Sequence, residues 1–201
     1  NGLFRDAIVH DRGVPYVFGD EGSPSRYTVG LDTGAAATLT IEPGVTLQFR
    51  PRTVLEVATT GTLIAKGTAA KPITFTSNET APAPGAWTGI QFLATPTAAS
   101  GLDHVVISYA GDDYQASGLA CSLDDQGARD SYGALGFAQR PASALVTNTT
   151  ISHSMHDAIA RAWTGAPLEL GATNTFDDIA GCKQSYPVPD TNVCPVPVPC
   201  D

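Results

Sequence analysis

Charge is scarce in this chain of 201 residues: Asp, Glu, Lys and Arg together make up 15%, against about a quarter in an ordinary soluble domain. Cations are scarcer still, with 11 Lys and Arg facing 20 Asp and Glu for a formal net charge of -9. A surface of that sign does not gather phosphate counterions, so nucleic acid is excluded as the expected partner. No apolar run approaches the roughly eighteen residues of a membrane-spanning helix. The opening NGLFRDAIVHDRG lacks the basic, apolar and small-residue regions of a signal peptide, and any targeting segment is expected to have been removed or to lie outside the chain. A sustained 3.6-residue apolar period is missing too, which argues against a helical fold. What is abundant is turn and strand material: 20 Gly, 15 Pro and 42% hydrophobic residues, with Thr, Ser and Asn supplying most of the polarity. The length fits one β-rich domain.

Short apolar or alternating runs bounded by Gly, Pro, Asn or Asp read as strands. They are TLTI (38–41), VTLQF (45–49), VLEV (54–57), TLIA (62–65), ITFTS (73–77), GIQFL (89–93), HVVISY (104–109), GALGF (133–137), TTISH (149–153), AIARA (158–162) and NTFDDI (174–179). The connections EPG, TTG, KGTAAKP and PAPGAW lack the two-residue NG or DG signature of hairpins, so they bend the chain without reversing it. A coiled path follows, each strand stacking on its equivalent in the next coil about 4.8 Å away. The fold class expected is all-β, a parallel β-helix of about four to five coils.

The string GVPYVFGDEG, GAAATLTIEPGVTLQF, VLEVATTGTLIAKGTAAKPITFTS, PGAWTGIQF and SGLDHVVISYAG resembles the bacterial right-handed parallel β-helix repeat modules of large secreted and cell-surface proteins. The resemblance spans residues 13–111 closely and NTTISHSMHDAIA and ELGATNTFDDIAG, up to residue 181, more loosely. It implies a pectate-lyase-like right-handed solenoid and little about activity, because such modules are scaffolds. Residues 1–12 are expected as an N-terminal strand, cap or linker, 13–181 as the β-helix with an insertion at 111–132, and 182–201 as a Pro-rich, cysteine-stapled tail.

Cys121, Cys182, Cys194 and Cys200 form an even set without CxxC spacing, read as two disulfides and hence as a secreted or cell-surface protein. The PVPVP between Cys194 and Cys200 favours an extended rod that holds those two apart. The preferred pairing is Cys182 with Cys194 and Cys121 with Cys200, with the other connectivities open.

Asp112 and Asp113, in GDD, are the residues to try first as catalytic acids, set against a solvated turn. Around them the galacturonan-hydrolase pattern is incomplete: NTT stands at 148–150, SHS at 152–154, and RIK is missing. His153, His156 and Asp157 in HSMHD are candidate transition-metal ligands, set against polar corner residues. No cofactor is implied beyond calcium, for which Asp112, Asp113, Asp124, Asp125 and Asp130 are the candidates. The leading functional expectation is a non-catalytic structural or adhesive module. It would assemble with its own copies or other surface proteins through its open ends and through a strand carrying Phe4, Ala7, Ile8 and Val9. The alternative is a polysaccharide-binding or polysaccharide-degrading protein.

Overall fold

A computed structural model describes residues 2–114, 120–121 and 132–200. The chain winds through three parallel sheets, here A, B and C, visiting them in turn. The first coil is β1 (Gly2–Leu3), β2 (Ala7–Val9) and β3 (Tyr16–Phe18); the second is β4 (Ser25–Val29), β5 (Ala37–Ile41) and β6 (Thr46–Phe49). The third is β7 (Thr53–Val57), β8 (Gly61–Lys66) and β9 (Ile73–Ser77), and the fourth β10 (Gly89–Phe92), β11 (Gly101–Asp103) and β12 (Val105–Ser108). After β13 (Ala120–Cys121) come the fifth coil, β14 (Gly133–Phe137), β15 (Val146–Thr147) and β16 (Thr150–Ser154), and a sixth with only β17 (Asp157–Arg161) and β18 (Thr175–Ile179). A short β19 (Tyr186–Pro187) lies in the tail. The chain is therefore the expected parallel β-helix, with five complete coils and a sixth without a sheet B strand.

Alternation in the strands explains the core. On sheet A, Tyr27, Leu55, Ile90, Leu135 and Ile159 fall in one register column, and on sheet C so do Tyr16, Leu47, Phe75, Ile107, Ile151 and Phe176. These inward columns, with the stacked rings of Phe49 and Trp87 (4.2 Å) and of Phe92 and Phe137 (5.0 Å), fill the interior. Corners are set by residues that accept left-handed backbone. Gly30, at φ +77, stacks so closely on the next corner that a Cβ would lie 2.4 Å from the Gly61 nitrogen. His104 (φ 49) and Asn148 (φ 48) each make a tight corner between sheets B and C.

Residues 2–12 lie within the first coil: β1 pairs with β4 and β2 with β5, both parallel and in register. They are therefore no free arm waiting to complete another molecule's sheet; one edge of each strand is already used.

At the other end the tail adds a rung to sheet A. Ala158 N donates to Cys182 O, Ile159 N to Lys183 O, and Ser185 N to Ile159 O. On its far side β19 pairs antiparallel with β13, bringing Cys121 beside Tyr186. The bridges are Cys121–Cys194 and Cys182–Cys200, with Cα separations of 5.7 and 5.2 Å, which corrects the preferred pairing of Cys182 with Cys194 and Cys121 with Cys200. A turn closed by Asn192 N donating to Pro189 O reverses the tail after β19. Cys194 thus meets Cys121, and the rest of the tail returns Cys200 to Cys182. Only the β13–β19 pairing, across a long sequence gap, determines that choice.

Candidate functional site

The GDD corner lies between sheets C and A. Gly111 (φ +95) is required because a Cβ would sit 2.6 Å from Ser154 Oγ on the next corner. Gly111 N donates to Thr88 O and Asp112 N to Trp87 O, fixing the corner on the coil below. Burial, and a hydrogen bond shared with the Asp113 carboxyl, push the Asp112 carboxyl above the usual carboxylate range, while Arg52 opposes the shift. Asp112 Oδ2 is sealed from solvent without a hydrogen-bond partner. A carboxyl whose hold on its proton is strengthened is a candidate acid, but the partners for glycosidic chemistry do not gather around it. Asn148 stands on the corner between sheets B and C, donating to Asp103 Oδ1 at 2.8 Å, and Arg140 donates to the Ala166 carbonyl. Asp124, Asp125 and Asp130 lie outside the described residues.

HSMHD distributes its three groups to separate places. His153, at φ 53, stacks on Tyr109 at 4.6 Å and faces Asp178 Oδ2 at 3.8 Å. His156 packs on Tyr132. Asp157 begins β17 with its side chain buried, and its Oδ1 accepts from Cys182 N at 2.7 Å. Its role is to hold the tail on the last coil. Among the described residues no group of three or more His, Cys, Asp or Glu side chains is placed to hold a metal ion.

A carboxylate that sequence reading passed over is nearly sealed on the outer wall. Glu56, in VLEV, points outward from β7, yet its side chain is only 3% exposed. Its Oε1 meets Arg26 Nε at 3.2 Å and its Oε2 accepts from Thr28 Oγ1 at 3.1 Å. Burial raises the Glu56 carboxyl above its ordinary range against the pull of Arg26 and Thr28. The cleft beside it, about 570 Å³, is lined by Phe4, Leu31, Ala58 and Leu93 together with Arg26 and Asp32. Alternation alone marks Glu56 as a solvated outward residue. The signal available was the coil period: Thr28 and Glu56 are 28 residues apart and lie side by side.

The two ends of the stack differ sharply. At the N-terminal end no described strand pairs with the outer edges of β1, β2 or β3. The core opens there into a cavity of about 320 Å³ lined by Leu3, Val9, Phe18, Tyr27, Val29, Leu39 and Leu55. On the outer face of the first coil and its connections Phe4, Ile8, Val14 and Val17 are 55%, 56%, 64% and 52% exposed. Of the four expected assembly residues, Phe4 and Ile8 face solvent, while Ala7 and Val9 pack against the core. Val14 and Val17 belong with the exposed set and were not singled out in the sequence. At the C-terminal end Trp163 and Leu170 are buried over the last coil. Arg161 occupies the inward column of Val29, Val57, Phe92 and Phe137 and donates to the carbonyls of Ser185 and Leu168.

Among the described residues no helix is long and apolar enough to cross a membrane. No curated protein matches the chain, and no solved structure does. A family model described as a pectate-lyase like beta helix domain matches residues 26–117. Three parallel in-register sheets run through the described part of that span, so the fold there agrees with the similarity of residues 26–117 to that domain.

Proposed function

We propose that the protein is an exported, non-catalytic structural or adhesive module, held in its surroundings through the N-terminal end of its solenoid. The observation that supports this most is the first coil itself, where an apolar cavity of about 320 Å³ opens at the end and large apolar side chains are exposed on the outer face. Exposed apolar surface gathered in one place marks an interaction site, and unpaired strand edges add a row of backbone donors and acceptors. Two disulfides fit an oxidising compartment, which supports an extracellular or cell-surface setting. Among the described residues the acids and histidines of the chemical candidates form no group of three or more placed to hold a metal ion.

A second reading, polysaccharide binding or cleavage, is favoured by the Glu56 cleft, where a sealed carboxyl, an Arg and Phe4 line one cavity. One experiment separates the two. The protein is passed over acidic and neutral polysaccharides with and without calcium, and the products are assayed for new reducing or unsaturated ends. The structural reading expects neither retention nor cleavage. Retention or cleavage that disappears in Glu56→Gln or Asp112→Ala overturns it in favour of the glycan reading.

A further inference from the structure

We infer that a cleft on the outer face of sheet B is a binding site for a small aliphatic carboxylate, held by Lys66. The cleft measures about 280 Å³, and coils three to five supply every residue that lines it. A concave site of that size with a few polar groups suits a ligand of few atoms.

The floor is made by strands. Leu63, Ala65, Leu102 and Val146 turn into the core, so the residues between them face outward. Lys66, Asp103 and Thr147 fall in one register column, with Gly101 beside them on β11. Glycine weakens a strand and marks a place where another group comes close. Left-handed backbone does not call for it here, because Gly101 does not adopt that conformation. Its missing side chain leaves room instead: a Cβ would lie 3.3 Å from Lys66 Cε and 3.7 Å from the Leu145 carbonyl oxygen. The Lys66 stem therefore passes over Gly101, inside the cleft.

The connection 94–100 makes one wall. Thr97 Oγ1 bonds to Thr62 Oγ1 at 2.9 Å and to Ser100 Oγ at 3.1 Å, and Leu63 N donates to Ser100 Oγ at 3.3 Å. These bonds tie the wall to β8 and hold Pro96 and Ala98 against the cleft. Pro141, Ala142 and Ala144 stand opposite. Both walls thus offer short aliphatic surface to an alkyl chain.

Charge selects the other half of the ligand. Asp103 is one rung from Lys66 in the same column, yet its carboxylate is turned to the corner between sheets B and C. There Oδ1 accepts from Thr147 Oγ1 and Asn148 Nδ2, each at 2.8 Å, and Oδ2 faces His104 Nδ1 at 3.2 Å. Lys66 is left without an ion pair among the described residues, in a chain with 20 acids to 11 bases. The exposed Ser143 lines the same cleft and adds a hydroxyl donor. A carboxylate lying between them takes a charge-assisted hydrogen bond from Lys66 Nζ and a second from Ser143 Oγ. A dianion is disfavoured, because the Asp103 side chain is still 34% exposed on the same floor.

The test is a nuclear magnetic resonance titration of the full oxidised chain with sodium butyrate at constant ionic strength. Saturable shifts are expected at the amides of residues 97–103 and 143–147, with a dissociation constant in the millimolar range, as suits so few ligand atoms. Lys66→Gln should weaken binding about tenfold or more, the loss of one hydrogen bond to a charged group. Gly101→Val, which fills the floor, should abolish it while the melting temperature stays at or above that of the wild type. No saturable shift, shifts that sodium chloride reproduces, or binding that survives Lys66→Gln overturns the site. So does an acidic peptide that binds at these amides where butyrate does not, which would assign the cleft to a protein partner. The cleft shares no residue with the Glu56 cleft or the GDD corner, so its failure is distinguishable from any outcome of the polysaccharide experiment.

Discussion

At the C-terminal end of the solenoid the chain stacks a tail rung on β17, covers that rung with β13, bolts both with disulfides, and seats Trp163 and Leu170 over the core. At the N-terminal end it does none of this, and the strand edges and the floor of the core face solvent. Both ends are cuts through the same stack, so the difference is not one of architecture. Each internal coil is buried by its neighbours, and only the end coils need residues of another kind. This sequence places its cysteines, the fully buried Arg161 and its Pro-rich tail at one end. Among the described residues the first coil carries no comparable cover over its strand edges.

The largest effect expected from breaking this contrast comes from opening the closed end. The two bridges span sequence separations of 73 and 18 residues, and loop closures of that order stabilise by about 3 to 4.5 kcal/mol each in the chain-entropy account. Replacing all four cysteines by Ser should lower the melting temperature steeply. The amides of Ala158, Ile159 and Ser185, now bonded across the pairing of β17 with the tail, should exchange rapidly. Unchanged protection there would mean that backbone pairing alone holds the tail and that the disulfides are not what closes this end.

A smaller effect sharpens the comparison from within the core. Phe92 is fully buried and stacked on Phe137 at 5.0 Å, so Phe92→Ala should cost about 3 to 5 kcal/mol in denaturant unfolding. Phe18 stacks on Phe49 at 5.4 Å but lines the open mouth, so truncating it enlarges a space that already reaches solvent. Phe18→Ala should cost less than half as much. Equal costs would show that the first coil is as well buried as the fourth, and the contrast between the ends would fail.

Much of the interior was legible because the coil is a local device. Alternation in ITFTS and GALGF, and turns such as EPG that bend without reversing, carry strand, face and corner in a few residues each. ITFTS and GALGF form strands over the same residues in the structure, β9 and β14. What escaped was whatever depends on partners a full coil or more away. Strands as short as β11, β15 and β19 exist only because a neighbouring rung pairs with them, and the disulfide pairing follows from β13 meeting β19. Glu56 was hidden for the same reason: an outward Glu reads as solvated until the preceding coil lays Arg26 and Thr28 against it. The HSMHD run failed in the opposite direction. Its residues are close in sequence, but a left-handed corner at His153 and a buried strand start at Asp157 turn them apart.

The smallest effect expected is electrostatic and sits on the outer wall near the open end. Burial raises the Glu56 carboxyl above the ordinary value of 4.5, so the folded protein binds that proton more tightly than the unfolded chain does. The stability this confers is fully present below about pH 4.5 and is lost as pH rises through the raised folded value. Asp103 acts in the other direction. Burial alone would raise it, but hydrogen bonds from Asn148, Thr147 and His104 outweigh that and hold it below 3.8, so its contribution is present above that pH and lost in more acidic solution. Glu56→Gln removes only the first of these. The difference in melting temperature between the variant and the wild type should therefore move in the variant's favour as pH is raised from 4 towards neutrality and then level off. In Asp103→Asn the difference should instead change below about pH 4. A Glu56→Gln difference that is constant across the range would mean that the carboxyl titrates alike in folded and unfolded chains. In that case the cleft beside Arg26 would be wet, and the outer wall at the open end would be ordinary solvated surface.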